Sequence, residues 1–457
     1  MKILLVQPRK AELSMGGEDV FIFEPLAMEY VAGGISKEND VRILDMRFGE
    51  NLESVLREFQ PQVVGITSYT VHVNPVKKLF QQVKDWNTDT LTVVGGHHAT
   101  ILPEDFHLPY IDLVVMGEGV IAFREIINRY EKGETFENIP GVAFDVDGKQ
   151  VKTEYVQKVD LDALPLPDRS LTARYRKRYY SEWMKPLASI RTSKGCPFRC
   201  RFCALWKLTG GYYLTRSPKK IVEELTIIDE EYVFFADDES LVDARRMKEL
   251  AELIKKAGIN KKYFLYGRSD TISKNPELLK IWRDIGLVKV FVGLEFFRND
   301  DLDYVGKKTS IDDNKKAIGI LNDLGIQPYP SLIIRPEWSK EDFRAMKQYC
   351  KSLGLPLASF AVLTPLPGTD LFEETKESLI THNYDLFDFL HTVLPTSLPL
   401  KEFFNQYYLL HSRIASPADT ISNLKKYPLK EIPGLFLMLI RFYMRLKRAH
   451  LDYGTNV

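Results

Sequence analysis

The chain has 457 residues, 45% of them hydrophobic, which is enough for two or three packed domains and excludes an intrinsically disordered polymer. Its 62 Lys and Arg balance 62 Asp and Glu, so no overall field draws it to nucleic acid, and an anionic ligand must be met by a local site. Three of the four cysteines fall within eight consecutive positions, too close for an ordinary disulfide framework, and they point to a reducing compartment and a metal. No apolar run reaches the roughly 18 residues of a spanning helix. The apolar start at residues 3–6 is too short for a signal segment, so a cytoplasmic protein is expected.

Residues 1–150 alternate short apolar runs, at 2–7, 41–45, 63–68, 91–95 and 113–116, with helical patterns at 25–37, 52–58 and 76–86. Val/Ile/Leu-rich strands alternating with helices predict a parallel sheet covered on both faces, a doubly wound, Rossmann-like α/β domain. Ligands of such sheets lie beyond the carboxyl ends of the strands, and small residues collect there. They are Thr67 and Ser68, Gly95 and Gly96 followed by His97 and His98, and the run Gly117, Glu118 and Gly119. A hairpin over 141–148, turning at Asp147-Gly148, closes the unit. Leu164-Pro165-Leu166-Pro167-Asp168 then predicts extended backbone within a linker over 151–185.

A second βα series fills 186–375, with strands expected at 188–192, 232–236, 263–267, 288–294, 329–334 and 359–364. Helical patterns at 218–228, 244–257, 312–324 and 340–353 separate them. Six units, against the eight of a closed barrel, predict an open partial barrel. After Pro367-Gly368-Thr369 the alternation stops, and 376–457 reads as a helical region.

The first strand of this series leads into Cys196-Pro197-Phe198-Arg199-Cys200-Arg201-Phe202-Cys203. Three thiolates on one loop can face three irons of a cubane and leave the fourth iron open to a non-protein ligand. A zinc site or unligated thiols are the alternatives, and zinc normally takes four protein ligands. No fourth Cys or His stands nearby, and Cys350 lies in a distant helical pattern. The loop, with Phe202 before its last cysteine, resembles the radical S-adenosylmethionine (SAM) superfamily. That resemblance implies a [4Fe-4S] cluster held by Cys196, Cys200 and Cys203, with the open iron chelated by SAM. It also implies an electron donor such as flavodoxin or ferredoxin, and a 5′-deoxyadenosyl radical formed on reduction. Cofactor contacts are implied for Phe202, for Asp237 or Asp238 where the family has Gly-Gly-Glu, for Arg268 toward the SAM carboxylate and for Glu295 near the ribose. The last four have structural alternatives: acids capping the next helix, an ion pair of Arg268 with Asp270 or Glu295, and a rim salt bridge of Glu295.

A doubly wound unit directly before such a barrel resembles the cobalamin-binding subclass of that superfamily. Corrinoid contacts are then implied at Thr67, Ser68, Gly95, Gly96, His97, Gly117, Glu118 and Gly119. Many corrinoid domains ligate cobalt through the histidine of Asp-x-His-x-x-Gly. Here the stretch is Asp45-Met46-Arg47-Phe48-Gly49, and Arg47 has no lone pair to give a metal. A base-off corrin without that ligand is expected, and His97 or His98 would more readily hydrogen-bond a cofactor than ligate cobalt.

Within the subclass the chain is similar to hopanoid C-3 methylase-like proteins, on Leu205-Trp206-Lys207-Leu208-Thr209-Gly210-Gly211, on Pro218-Lys219-Lys220-Ile221, on Lys262-Tyr263-Phe264 and on Leu363-Thr364-Pro365-Leu366-Pro367-Gly368-Thr369. The resemblance implies transfer of methyl from methylcobalamin to an unactivated carbon of a lipid-like or polycyclic small molecule. Candidates for an aromatic substrate channel are Phe235, Tyr266, Phe296 and Tyr329. Magnesium-protoporphyrin cyclase proteins share Trp206-Lys207 and Pro218-Lys219-Lys220, so oxidative cyclisation of a tetrapyrrole-like substrate is an alternative. A non-catalytic corrinoid and iron-sulfur sensor or carrier is another. Residues 435–439 followed by Arg441, Arg445 and Arg448 predict a helix with an apolar face and a basic stripe, suited to peripheral membrane contact or to docking on the barrel.

Overall fold

The computed structural model describes residues 1–35 and 37–454. The chain opens with β1 (Lys2–Gln7), β2 (Phe21–Ile22), α1 (Leu26–Gly33), β3 (Asp40–Asp45), α2 (Leu52–Phe59), β4 (Val63–Thr67) and α3 (Val73–Trp86). It continues through β5 (Leu91–Gly95), α4 (His97–Ile101), β6 (Leu113–Val115), α5 (Gly119–Lys132), β7 (Val142–Val146) and β8 (Lys149–Lys152). These strands, β2 apart, form one sheet in the order β3-β1-β4-β5-β6-β7-β8, parallel as far as β6 and antiparallel in the closing hairpin. Apolar residues on both faces of each strand explain the double cover. Leu4 and Val6 pack with residues of α2 and α3, whereas Ile3 and Leu5 pack with residues of α1 and α5. The chain crosses from β1 to β3 on one side and then to β4 on the other, which places the topological switch point between β1 and β4.

The helix expected over 25–37 stops at Gly33, and position 36 lies outside the described residues. Gly33 is where the linker crosses: a Cβ there would stand 2.1 Å from the Leu166 carbonyl oxygen. The turn of the β7–β8 hairpin has Asp147 at φ 51° and Gly148 at φ 77°, the left-handed pair that a two-residue type I′ turn requires.

The second half contains β9 (Tyr180–Ser181), β10 (Leu187–Ile190), β11 (Ser193–Lys194), α6 (Leu205–Leu208), β12 (Leu214–Thr215), α7 (Pro218–Thr226), β13 (Tyr232–Phe235) and α8 (Ala244–Lys256). Then come β14 (Lys262–Arg268), α9 (Ser269–Lys274), α10 (Pro276–Asp284), β15 (Leu287–Glu295), α11 (Asn299–Tyr304), α12 (Ile311–Asp323), β16 (Gln327–Ile334), α13 (Lys340–Ser352), β17 (Ser359–Val362) and α14 (Asp370–Thr375). Strands β10, β13, β14, β15, β16 and β17 pair in parallel in chain order, and β10 and β17 remain at opposite edges. The half-barrel is therefore open.

Side chains alternate between its two faces. Phe234, Phe264, Tyr266, Phe291 and Tyr329 share an aromatic cluster on one face. Phe235 and Phe296 differ from the expectation of a channel role: both are fully buried in the opposite core, where Phe235 meets Tyr263 and Trp282 edge-on. The reason is the strand period of two, which turns Phe235 away from the face that Phe234 occupies. Lys289 is fully buried beneath the aromatic cluster, 2.7 Å from Glu182 and over the rings of Phe264 and Tyr329.

The region expected to be helical after 376 is helical only in part. Residues 379–399 are irregular apart from a short 3-10 helix at Tyr384–Leu386, and Pro395 and Pro399 cannot donate a helical hydrogen bond. Three helices follow, α15 (Leu400–Ser412), α16 (Pro417–Leu424) and α17 (Ile432–Arg448). Positions 455–457 lie outside the described residues. Phe403 and Tyr407 of α15 enter the half-barrel core, and the Tyr407 hydroxyl donates to the Phe360 carbonyl at 2.6 Å.

A buried ion network ties the two sheets together. Glu24, which follows β2, accepts from Arg169 Nη1 at 2.7 Å and from Arg176, and also from the Ser189 amide in β10. Arg169 reaches on to Glu224 of α7 at 2.7 Å, and Glu224 also accepts from Arg216 and from the Tyr30 hydroxyl of α1.

Candidate functional site

The cysteine loop leaves β10 at the carboxyl edge of the half-barrel, and its entry is pinned by the acids after β13. Asp237 accepts from the Thr192 and Ser193 amides at 2.7 and 2.8 Å and from the Thr192 hydroxyl at 2.6 Å. Asp238 accepts from the Gly195 amide at 2.6 Å. Asp237 is therefore committed to shaping the loop, while Asp238 keeps one carboxylate oxygen outside that contact. Further along, the Arg201 amide donates to the Val305 carbonyl and the Trp206 indole to the Cys200 carbonyl. Phe202 packs against the core, and Phe198 lies under the Arg268 guanidinium at 3.7 Å.

Cys196, Cys200 and Cys203 are all free thiols. Burial pushes Cys196 up to about 11 and Cys203 up to about 12, so ionisation at neutral pH calls for a strong cation among them. Among the described residues no group of three or more His, Cys, Asp and Glu converges on a single-ion site. Three thiolates on one loop suit a cluster whose irons each take one sulfur, and they are one short of the four protein ligands of a structural zinc. Cys350 is buried in α13 within the core.

At the ends of β14 and β15, Arg268 and Glu295 both have partners. Arg268 Nε donates to Asp270 at 2.9 Å and Nη2 to the Lys307 carbonyl at 2.5 Å, while Nη1 stands 3.9 Å from the Cys200 sulfur. Glu295 accepts from Lys307 Nζ at 2.6 Å and holds a left-handed backbone, φ 60°. Such a conformation in a non-glycine residue stores strain of order 1 kcal/mol and clusters at functional sites. Sequence reasoning passed over two residues here. Lys307 carried no local signal. Glu239 did, as the third acid of Asp237-Asp238-Glu239: it is buried, accepts from Thr271 at 3.0 Å, and burial pushes it up to about 7.

Across the cleft, a cavity of about 170 Å³ opens at the carboxyl ends of β4, β5 and β6. Of the eight residues singled out there, Thr67, Gly95, Gly96, His97, Gly117, Glu118 and Gly119 line it. Ser68 does not: it is buried, and its amide donates to the Gly95 carbonyl at 2.8 Å. Gly96 has φ 106°, and a Cβ on it would stand 2.8 Å from the backbone nitrogen and oxygen of Ser68, so only glycine fits this turn.

His98 is engaged at both ring nitrogens, 2.8 Å from Asp105 and 3.2 Å from Thr70, as a structural residue is. His97 meets the ring of Tyr69 edge-on, and burial, with Lys194 adding to it, lowers its pKa to about 4. Arg47 forms an ion pair with the fully buried Asp45 at 2.6 Å and donates to the Phe23 carbonyl at 2.9 Å. The position after β3 is thus filled by an internal pair.

The two sites meet. Lys194, two residues before Cys196, donates to Glu118 at 2.9 Å, and Arg191 stands 3.4 Å from the same oxygen. Burial alone would raise the Glu118 pKa, but Arg191 and Lys194 bring it down to about 2.

Residues 15–127 match the B12 binding domain family and residues 190–350 the radical SAM superfamily. The chain is 31% identical to the hopanoid C-3 methylase of Methylococcus capsulatus, over 97% of this chain and 87% of that one. It is 28% identical to the anaerobic magnesium-protoporphyrin IX monomethyl ester cyclase of Rubrivivax gelatinosus, over 86% and 73%. In fold it is similar to the cobalamin-dependent SAM radical enzyme OxsB with aqua-cobalamin bound, with a TM-score of 0.72 and 17% identity over 99% of this chain and 72% of that one. It is also similar to the radical SAM methyltransferase TsrM of Kitasatospora setae, with a TM-score of 0.65 and 20% identity over 82% and 74%.

Proposed function

The chain belongs to the B12-binding radical SAM enzymes, the cobalamin-dependent methyltransferases among them, and from that premise we propose that it methylates an unactivated carbon of a lipid-like or polycyclic small molecule. The observation that carries this reading is the contact of Lys194 with Glu118, which joins the corrinoid cavity to the cysteine loop in one cleft. When bound, the cluster with SAM supplies radical chemistry able to take hydrogen from such a carbon, and the corrinoid supplies a methyl donor. No side-chain base is then needed at the substrate carbon.

The residues of the chain bind and orient. Cys196, Cys200 and Cys203 would hold the cluster, with Phe202 beside it. Asp238, or the Glu239 that burial keeps near 7, would face the amino group of SAM, since Asp237 is committed to the loop. Arg268 and Glu295 would serve at the carboxylate and ribose, each held in place by its partner, Asp270 or Lys307. Thr67, Gly95, Gly96, His97, Gly117, Glu118 and Gly119 would line the corrinoid site, with Ser68 buttressing the turn. Tyr266 and Tyr329, on the aromatic face, support an apolar substrate. For the division into 1–150, 151–185, 186–375 and 376–457, the N-terminal sheet ends two residues past the first boundary, at Lys152, and α14 ends at Thr375.

With a chemical reductant or a flavodoxin- or ferredoxin-type donor, and SAM labelled in its methyl group, we expect one labelled carbon in the product and release of 5′-deoxyadenosine. A product that loses hydrogen without gaining carbon would instead favour the cyclase chemistry, and no release of 5′-deoxyadenosine would favour a carrier.

Gly95→Val tests the cavity. A Cβ at Gly95 meets nothing nearer than 3.7 Å, and valine suits a strand, so the sheet should form while the side chain fills the cavity mouth. Corrinoid retention is expected to weaken at least about tenfold, a loss of about 1.4 kcal/mol. Unchanged retention, measured by visible absorbance after desalting, would separate the cavity from the cofactor.

Among the described residues no helix is long and apolar enough to cross a membrane. Peripheral contact is supported by α17 and the turn before it, where Leu429, Phe436, Leu437, Ile440 and Met444 are exposed beside Lys430, Arg441, Lys447 and Arg448. Arg445, by contrast, donates to the Glu12 carbonyl. Co-sedimentation with vesicles rich in anionic lipid is expected, and to fall with Ile440→Glu. Equal sedimentation of that variant would assign α17 to ordinary docking.

A further inference from the structure

The strands of the half-barrel present two unlike faces. Side chains turned to the helices, such as Leu265, Val292 and Phe360, are buried in the core. On the other face Tyr266, Phe291, Tyr329, Ser331 and Ser359 keep part of their surface exposed. Strand register sets these in rows, from Lys289 beside Gln327 at the amino end to Ser331 beside Gly293 and Arg268 at the cluster end. Gln327 to Ser331 spans about 13 Å at roughly 3.3 Å per residue. The inner face is thus an aromatic-walled trough that leads to Arg268.

The turn between α16 and α17 covers the amino end of this trough. Lys426 donates to Gln327 Oε1 at 3.2 Å, and the Trp183 indole donates to the same oxygen at 3.3 Å. Tyr427 is half-buried there: burial, and then the neighbouring Glu182, Tyr329 and Tyr180, push its hydroxyl upward. Lys289 below is already paired with Glu182 at 2.7 Å. The cover therefore rests on an exposed hydrogen bond and a half-buried ring, not on a packed core. None of residues 418–445 is buried.

Helix α17 is apolar on two sides. Phe442 and Tyr443 meet His411 and Tyr408 of α15, whereas Phe436, Leu437, Ile440 and Met444 stand 46–52% exposed. A helix apolar on both sides calls for cover on both. Residues 417–448 also hold seven Lys and Arg against two Asp and Glu. An excess of cations beside an exposed apolar stripe matches an anionic bilayer.

We propose that α16, the turn after it and α17 form a lid on the amino end of the half-barrel, and that docking of the lid on an anionic bilayer lifts Lys426 and Tyr427 and admits the lipid-like substrate to the trough. This rests on the lipid-like substrate read above. The far end of α17 is the fixed end. Arg445 donates to the Glu12 carbonyl, Leu446 and Ala449 are buried, and His391 holds Asp452 at 3.0 Å. The end that carries Lys426 and Tyr427 has no such anchorage in a core, and a segment held by few buried contacts opens first. Substrate entering here reaches Arg268 and Glu295 from within the barrel, while the corrinoid cavity faces them across the cleft. Substrate exchange then requires neither cofactor to move.

The test uses vesicles of phosphatidylglycerol and phosphatidylcholine that carry a diazirine-bearing sterol, a photoactivatable polycyclic lipid. The full chain is illuminated with them, and its labelled residues are read by mass spectrometry. Labels are expected on α17 between Phe436 and Met444, and in the trough at Phe291 or Tyr329. Ile440→Glu should lower both at least tenfold. Lys426→Ala with Tyr427→Ala loosens only the cover, so it should raise trough labelling at least twofold and leave the α17 labels unchanged. Labels on α17 alone overturn the proposal and leave the bilayer contact standing. Trough labelling that the Lys426 and Tyr427 changes do not raise overturns the lid. An unlabelled α17 overturns the bilayer contact and the proposal with it, and a dimer in solution that Ile440→Glu dissolves would assign the stripe to a second copy of the chain. Methyl transfer is read separately, from labelled SAM, so its failure is a distinct result.

Discussion

Replacing Cys200 by alanine is expected to remove the brown iron-sulfur absorbance of anaerobically reconstituted protein and to reduce release of 5′-deoxyadenosine from SAM to that of a protein-free control. The fourth cysteine of the sequence, Cys350, is buried in α13 within the core. The loss should exceed the roughly 10–100-fold typical of changes to groups that only support a metal ligand. Corrinoid binding should survive, because no residue lining the cavity belongs to the Cys196–Cys203 segment. A variant that keeps both the absorbance and SAM cleavage would sink the cluster assignment. One that loses corrinoid as well would indicate that the loop change has spread through Lys194 and Glu118.

Glu24→Gln is expected to destabilise the protein by about 3–5 kcal/mol, the usual cost of breaking a buried ion pair from one side. Glu24 is fully buried, and it satisfies Arg169, Arg176 and the Ser189 amide together. Glutamine keeps the volume but removes the charge, and its amide N–H₂ would point a donor at groups that can only donate. Arg169 and Arg176 retain Glu224 and Glu230, each at 2.7 Å, which limits the loss. A change of that size is a large share of ordinary domain stability and should appear as a clear fall in the urea midpoint. Adding Arg176→Gln should recover part of it, because the second change removes one of the two cations that lost Glu24, although it also gives up the pair with Glu230. A midpoint unmoved by Glu24→Gln would show the network to be dispensable. The consequence reaches function, since Glu24 holds β10 against the N-terminal sheet, and β10 leads into both Arg191 and the cysteine loop.

Most of the framework was legible in the sequence. Strand runs at 2–7 and 91–95 reappear as β1 and β5 because a strand buried on both faces must be apolar throughout, which is a local signal. The Asp147-Gly148 turn was legible because left-handed backbone restricts residue choice. Residues 379–399 were misread because their order comes from particular side-chain anchors instead of periodicity. Asp388, for example, accepts from the Met15 amide of the distant N-terminal segment at 2.7 Å and from His391 at 2.8 Å.

The site divides in the same way. That Cys196, Cys200 and Cys203 share one loop was decided by the sequence alone, since residues within eight positions are brought near each other by the chain itself whatever surrounds them. The absence of a histidine at Arg47 was equally plain, though its pairing with Asp45 was not. Only the tertiary structure decided that Asp237 is spent on Thr192 and Ser193, that Phe234 and not Phe235 faces the aromatic cluster, and that Arg191 and Lys194 stand over a cavity built by another sheet. Those relations depend on how two sheets are set against each other by buried contacts such as Glu24 with Arg169. Spacing along a chain carries a residue's chemistry, but a partner 70 or more positions away, as Glu118 is from Lys194, is chosen by packing.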